Sequence, residues 1–108
     1  MAASLFLGLV WAVWHLPLFW TAGSALDDAS PWVLILELPA VAVLYTWVFR
    51  RTRGSVLLAI GFHASWNLCT VSAAVAVVEQ WRVGVVILGL TWMLAAAAAF
   101  GLRTPSSR

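Results

Sequence analysis

Four apolar runs, each close to the ~20 residues a helix needs to cross a bilayer, constrain this chain more than any other feature. They cover residues 3–21, 32–49, 54–78 and 83–102, which together are most of the 108 residues. Only 9% of the chain is charged and 64% is hydrophobic. A soluble domain carries about 25% charged residues, so this chain lacks the polar surface to cover itself. The expected fold is all-α, an integral membrane bundle of about four transmembrane helices in one domain.

The connections support that division. Gly23, Ser24, Asp27 and Asp28 make the first loop polar, and Pro31 suits the first turn of the second helix. Arg50, Arg51 and Arg53 form a basic loop before Gly54-Ser55, and Glu79 to Arg82 reads as a short turn. Residues 103–108 read as a polar tail. The positive-inside rule places the arginine loop and the tail in the cytoplasm and the acidic loop outside. Short turns make consecutive helices antiparallel neighbours. Eight tryptophans suit a chain with two membrane interfaces. Gly8 with Ala12, and Gly61 with Ser65, have the small-residue spacing of close helix packing. Pro17 and Pro39 should kink or loosen their helices. The alanine run at 95–99 reads as packing or lipid-facing filler. No basic leader precedes the first run, so it does not read as a cleaved signal peptide. A helix beginning at Met1 suggests a chain cut from a longer one.

The net charge of +2 comes from six arginines scattered between apolar runs, which excludes a nucleic-acid surface. The single Cys69 excludes an internal disulfide and any multi-cysteine metal site, and reads as a small packing residue.

Against this apolar background His15, His63 and Asn67 stand out. His63 and Asn67 are four residues apart, so they share a helical face. Counting 1.5 Å per residue from the cytoplasmic ends puts His15 roughly 18 Å and His63 roughly 14 Å deep, which lets them meet in the bundle. Neutral imidazoles can bind a metal or move protons, and an amide can donate to a developing oxyanion. Each residue can equally serve by hydrogen-bonding a neighbouring helix. Glu37 sits at roughly the depth of His15 and is a functional candidate by position, although a hydrogen bond to a helix neighbour is its expected role. Glu79, Asp27 and Asp28 read as solvated.

The words around these residues narrow the choice. Gly8-Leu-Val-Trp-Ala-Val-Trp-His-Leu-Pro-Leu-Phe19 resembles the FxxxH motif of the CPBP family, the type II CAAX protease-like intramembrane proteases. Gly61-Phe-His-Ala-Ser-Trp-Asn67 resembles that family's HxxxN motif, and Thr46 to Ser55 resembles the helix end and basic loop before it. Trp11 stands where the family has phenylalanine. The resemblance implies catalytic roles for His15, His63 and Asn67, which line an intramembrane cavity. There they either bind a metal, with His15 and His63 as ligands and zinc as the expected divalent ion, or orient water and stabilise the oxyanion.

The resemblance also implies an endopeptidase acting on membrane-associated peptides or proteins, in the bacterial plasma membrane, with the lipid bilayer and its substrate as partners and no nucleic acid. The family's EExxxR motif, which supplies the water-activating glutamates, is absent, so the chain reads as the C-terminal part of such an enzyme, inactive alone. Two alternatives stay open: a non-catalytic immunity or scaffold relative, and a haem protein with His15 and His63 as axial ligands.

Overall fold

A computed structural model of the chain describes residues 1–24, 26, 30–76 and 80–103. Four helices occur in order: α1 (Ala2–His15), α2 (Pro31–Arg51), α3 (Val56–Ala76) and α4 (Gln80–Arg103), with a 3-10 helix, Leu16–Trp20, continuing from α1. No strand occurs among the described residues. Three segments are long and apolar enough to cross a membrane: Ala2–Trp20, Pro31–Arg51 and Gly84–Gly101. The third apolar run is helical, as α3, and its apolar part among the described residues, Val56–Thr70, is shorter than those three. The chain is a multi-pass, all-α membrane protein.

The sequence explains where the elements end. Pro17 has no N–H for the Val13 carbonyl, and a residue preceding proline is pushed away from α geometry. Leu16 N–H takes the Val13 oxygen instead, and the tighter 3-10 path begins there. The first predicted span is therefore two segments, with His15 as the last α-helical residue. At the other end of α2, Arg53 (φ 55°) and Gly54 (φ 82°) reverse the chain. Gly54 N–H reaches back to Phe49 O at 2.8 Å, the closing bond of a Schellman turn. Gln80 to Arg82 are helical and belong to α4, where a turn was expected, and Arg103 ends α4 where a tail was expected to begin. Asp27, Asp28, Glu79 and the rest of that tail lie outside the described residues.

The bundle is built around α2. Residues 37–44 of α2 are buried without interruption, the mark of a helix covered on all sides. One cover is α1, through the stripe Ser4, Gly8 and Ala12. Gly8 packs directly on the backbone of Pro39 and Leu38, so closely that a Cβ there would overlap Pro39 Cα. Thr46 Oγ1 donates to Ser4 Oγ across the same interface at 2.9 Å. The other cover is α4, whose Thr91, Ala95 and Ala98 face inward. Ala95 and Ala98 form the core with Ala40, Val43 and Leu44. Part of the alanine run is thus packing, while Ala96 and Ala97 are exposed. The packing of α4 on α2 is not a neighbour-to-neighbour connection, and the short turns gave no sign of it.

By contrast, no residue of α3 is buried over its described side chains, Val56 to Thr70. It docks mainly through Phe62 and Trp66, which lie against the core. This corrects two expectations. Gly61 and Ser65 are exposed, and nothing lies within 4 Å of a Cβ at Gly61. Cys69 is likewise exposed and is not a packing residue. Both sit on faces that no other described element covers. Pro39 is held inside α2, which runs unbroken through it.

Glu37 takes the structural role expected of it. It is 8% exposed, and Thr91 Oγ1 of α4 donates to its Oε1 at 3.4 Å. Nearby, Trp92 Nε1 donates to Leu36 O at 3.0 Å, and Arg51 reaches Gly101 O at 3.2 Å. These bonds pin α4 along the length of α2.

Gly8→Leu is expected to destabilise the folded chain by about 1–3 kcal/mol, the usual cost of overpacking, whereas Gly61→Ala should leave it within about 0.5 kcal/mol. Equilibrium unfolding by sodium dodecyl sulfate in mixed micelles reads both. Thr91→Val, which removes the donor to Glu37, should cost about 0.6 kcal/mol, the average measured for interhelical hydrogen bonds in a membrane protein. The same titration checks it.

Candidate functional site

His15, His63 and Asn67 come from two helices, and α2 lies against both. The hairpin geometry explains the meeting. Tyr45 is six residues before the end of α2 and Phe62 six residues after the start of α3. Both therefore lie roughly 9 Å from the turn that joins these helices, and their rings meet edge to face at 4.9 Å. His63 is next to Phe62, and its ring is 6.0 Å from Tyr45.

Trp11 of α1 completes the arrangement. Its indole stacks on the His63 imidazole with centroids 5.8 Å apart and planes 30° apart. It also meets Tyr45 edge-on at 5.7 Å and His15 at 6.0 Å. Its carbonyl accepts a hydrogen bond from His15 Nδ1 at 2.8 Å. One residue thus touches both histidines, by its backbone and by its side chain. The same close packing that puts Gly8 on Pro39 delivers Trp11, one turn further along, to Tyr45.

For each neutral imidazole, one tautomer fits the hydrogen bond it makes. A carbonyl can only accept, so neutral His15 carries its proton on Nδ1 and keeps the Nε2 lone pair for another partner. Asn67 Nδ2 donates to His63 Nε2 at 3.1 Å, so His63 carries its proton on Nδ1. His15 is half-buried, whereas His63 and Asn67 are exposed on α3. The shared helical face predicted for His63 and Asn67 is present as a direct side-chain bond.

Glu37 is the single carboxylate among the described residues, and it is committed to Thr91 at the α2–α4 interface. As donors to a metal, the two imidazoles are chemically suitable. A catalytic zinc takes three protein ligands, and no group of three His, Cys, Asp or Glu converges among the described residues. His63 Nε2 is also engaged by Asn67. A metal here would need at least one ligand from outside these residues, and would compete with Asn67 for His63.

Tyr45 was not among the sequence candidates. The signal was present: it is the chain's one tyrosine, a hydroxyl in an apolar run. Nothing in the spacing marked it, because its partners lie on other helices.

A family model described as type II CAAX prenyl endopeptidase Rce1-like matches residues 1–69, a stretch that contains His15, His63 and Asn67. The protein named CAAX prenyl protease 2 of Methanococcus maripaludis is 32% identical over 72 residues, covering 61% of this chain and 27% of the relative. The chain thus spans about a quarter of the length of that curated relative. No solved structure matches. With the family model covering well over half of its residues, this chain belongs to the Rce1-like family of type II CAAX prenyl endopeptidases.

Proposed function

We propose that these residues are part of a CAAX-type membrane endopeptidase of a bacterial plasma membrane, with the Arg50–Arg53 turn on the cytoplasmic side. Its substrate would be a peptide or protein held at the membrane. The observation that carries this reading is the convergence of His15 and His63 on Trp11, with Asn67 bonded to His63. Two motifs distant in sequence form one cluster, and its polar groups differ in what they offer.

In the proposed reaction, water adds to the carbonyl carbon of the scissile peptide bond. His15 Nε2, a bare lone pair, orients the water, and the carboxylate that activates it takes up its proton. The proton then passes to the departing amine nitrogen as the C–N bond breaks. The Asn67 amide, held through one N–H on His63 Nε2, donates its other N–H to the oxygen that becomes negative in the tetrahedral intermediate. Such donors are stronger in a water-poor membrane interior than in bulk water.

Glu37 belongs to the packing of α2 on α4, so the water-activating carboxylate is assigned to a segment other than the described residues. The exposure of His63 and Asn67 supports this. Polar groups on a membrane helix ordinarily face a cavity or a protein neighbour, and a carboxylate-bearing helix would supply one. These 108 residues alone should then be inactive. A divalent metal, zinc being the expected ion, would use His15 and His63 together with that added ligand. When bound, it would polarise the carbonyl or acidify water.

The test uses the chain joined to a family segment carrying EExxxR, in vesicles with a fluorogenic CAAX peptide. Cleavage should appear only in the joined protein. Asn67→Ala should lower kcat by about 10²–10³-fold, as for loss of an oxyanion donor, and His63→Ala at least as much. A joined protein that cleaves at full rate without His63 would remove the reading. A joined protein that folds but never cleaves would favour a non-catalytic relative. Dialysis against a chelator should abolish cleavage and zinc should restore it; undiminished cleavage after chelation would leave the water–histidine route and eliminate the metal.

A further inference from the structure

Tyr45 carries a hydroxyl in the cluster that the proposed reaction does not use. Its ring contacts Trp11 of α1 and both Phe62 and His63 of α3, so it sits where three helices meet. Its hydroxyl oxygen is buried and has no hydrogen-bond partner among the described residues. Packing does not account for that oxygen. Phenylalanine would make the same ring contacts, and burying a hydroxyl without a partner is unfavourable. A small buried hydroxyl ordinarily has a partner, a bound water included.

The ring, for its part, bears on function. α3 has no buried residue over its described side chains, and it is held to the bundle mainly by Phe62 and Trp66. The direction of the His63 imidazole is therefore set by its bond to Asn67 and by the two rings against it, Trp11 on its face and Tyr45 tilted at 54° beside it. Among the described residues, the rings in contact with His63 are those of Trp11 and Tyr45.

We infer that Tyr45 is a positioning residue of the site: its ring holds the His63 imidazole in its stack on Trp11, and its hydroxyl donates a hydrogen bond to an oxygen ligand bound at that imidazole, water in the resting protein. The inference rests on the proposed protease site. In that setting the hydroxyl restrains the water or substrate oxygen that His63 meets. Tyr45 acts through His63 and takes no part in bond making.

The test is made on the 108-residue chain in micelles without substrate, so its outcome is independent of whether the joined protein cleaves peptides. Tyr45→Phe removes the oxygen alone, and Tyr45→Leu removes the ring as well. The His63 ring resonances, read at one fixed pH with labelled histidine, should move in Tyr45→Phe while those of His15 stay in place. In Tyr45→Leu they should move further, as the stack on Trp11 loosens. The detergent unfolding midpoint of Tyr45→Phe should be unchanged or lower. If the hydroxyl is merely an unsatisfied group, its removal should raise the folded-to-unfolded ratio by about fivefold or more. Such a rise overturns the inference, as do His63 resonances that superimpose on the wild type in either variant.

Discussion

The contact of Gly8 with the Pro39 backbone governs the arrangement of this molecule. Between membrane helices there is no water to exclude, so association depends on van der Waals contact and a few hydrogen bonds. Ser4, Gly8 and Ala12 provide a flat stripe that lets α1 lie directly on α2. The Ser4–Thr46 bond sets the register of the two helices. Trp11, beside that stripe, then has one place to go, onto Tyr45 and His63. The site is a consequence of how closely two backbones approach.

α2 carries the second constraint. With residues 37–44 buried throughout, its polar groups must be satisfied by neighbours. Glu37 finds Thr91, and α4 is held by that bond and by Trp92 and Arg51. One face of α2 thus serves stability through α4, while the part nearer the arginine turn serves the cluster through Tyr45. α3 is different in kind. It is lightly packed and brings His63 and Asn67 to an uncovered face, as expected of a helix whose polar groups are meant to meet something else.

Much of this was legible in the sequence because membrane helices declare themselves by length and hydropathy. The helices, the break at Pro17, the Gly8–Ala12 packing and the His63–Asn67 pairing all follow from local rules of spacing. Gly61 and Ser65 show the limit of such rules. They have the same spacing as Gly8 and Ala12, yet are exposed, because small residues permit close packing without specifying a partner. The α2–α4 interface and the place of Tyr45 were not legible for a related reason. Both depend on which helix faces which, and period and composition do not encode that. The link between the two histidines was read from motif order and depth. Its physical agent, Trp11, appeared in the sequence only as a departure from a family pattern.

His15 and His63 belong to one cluster because Trp11 touches both. The most direct measurement is the nuclear Overhauser effect between the His63 ring protons and the Trp11 indole protons, in selectively labelled chain in lipid nanodiscs. The account predicts a clear cross-peak, consistent with stacked rings whose centroids are 5.8 Å apart. A His63 ring that shows cross-peaks to lipid methylenes and none to Trp11 would contradict it.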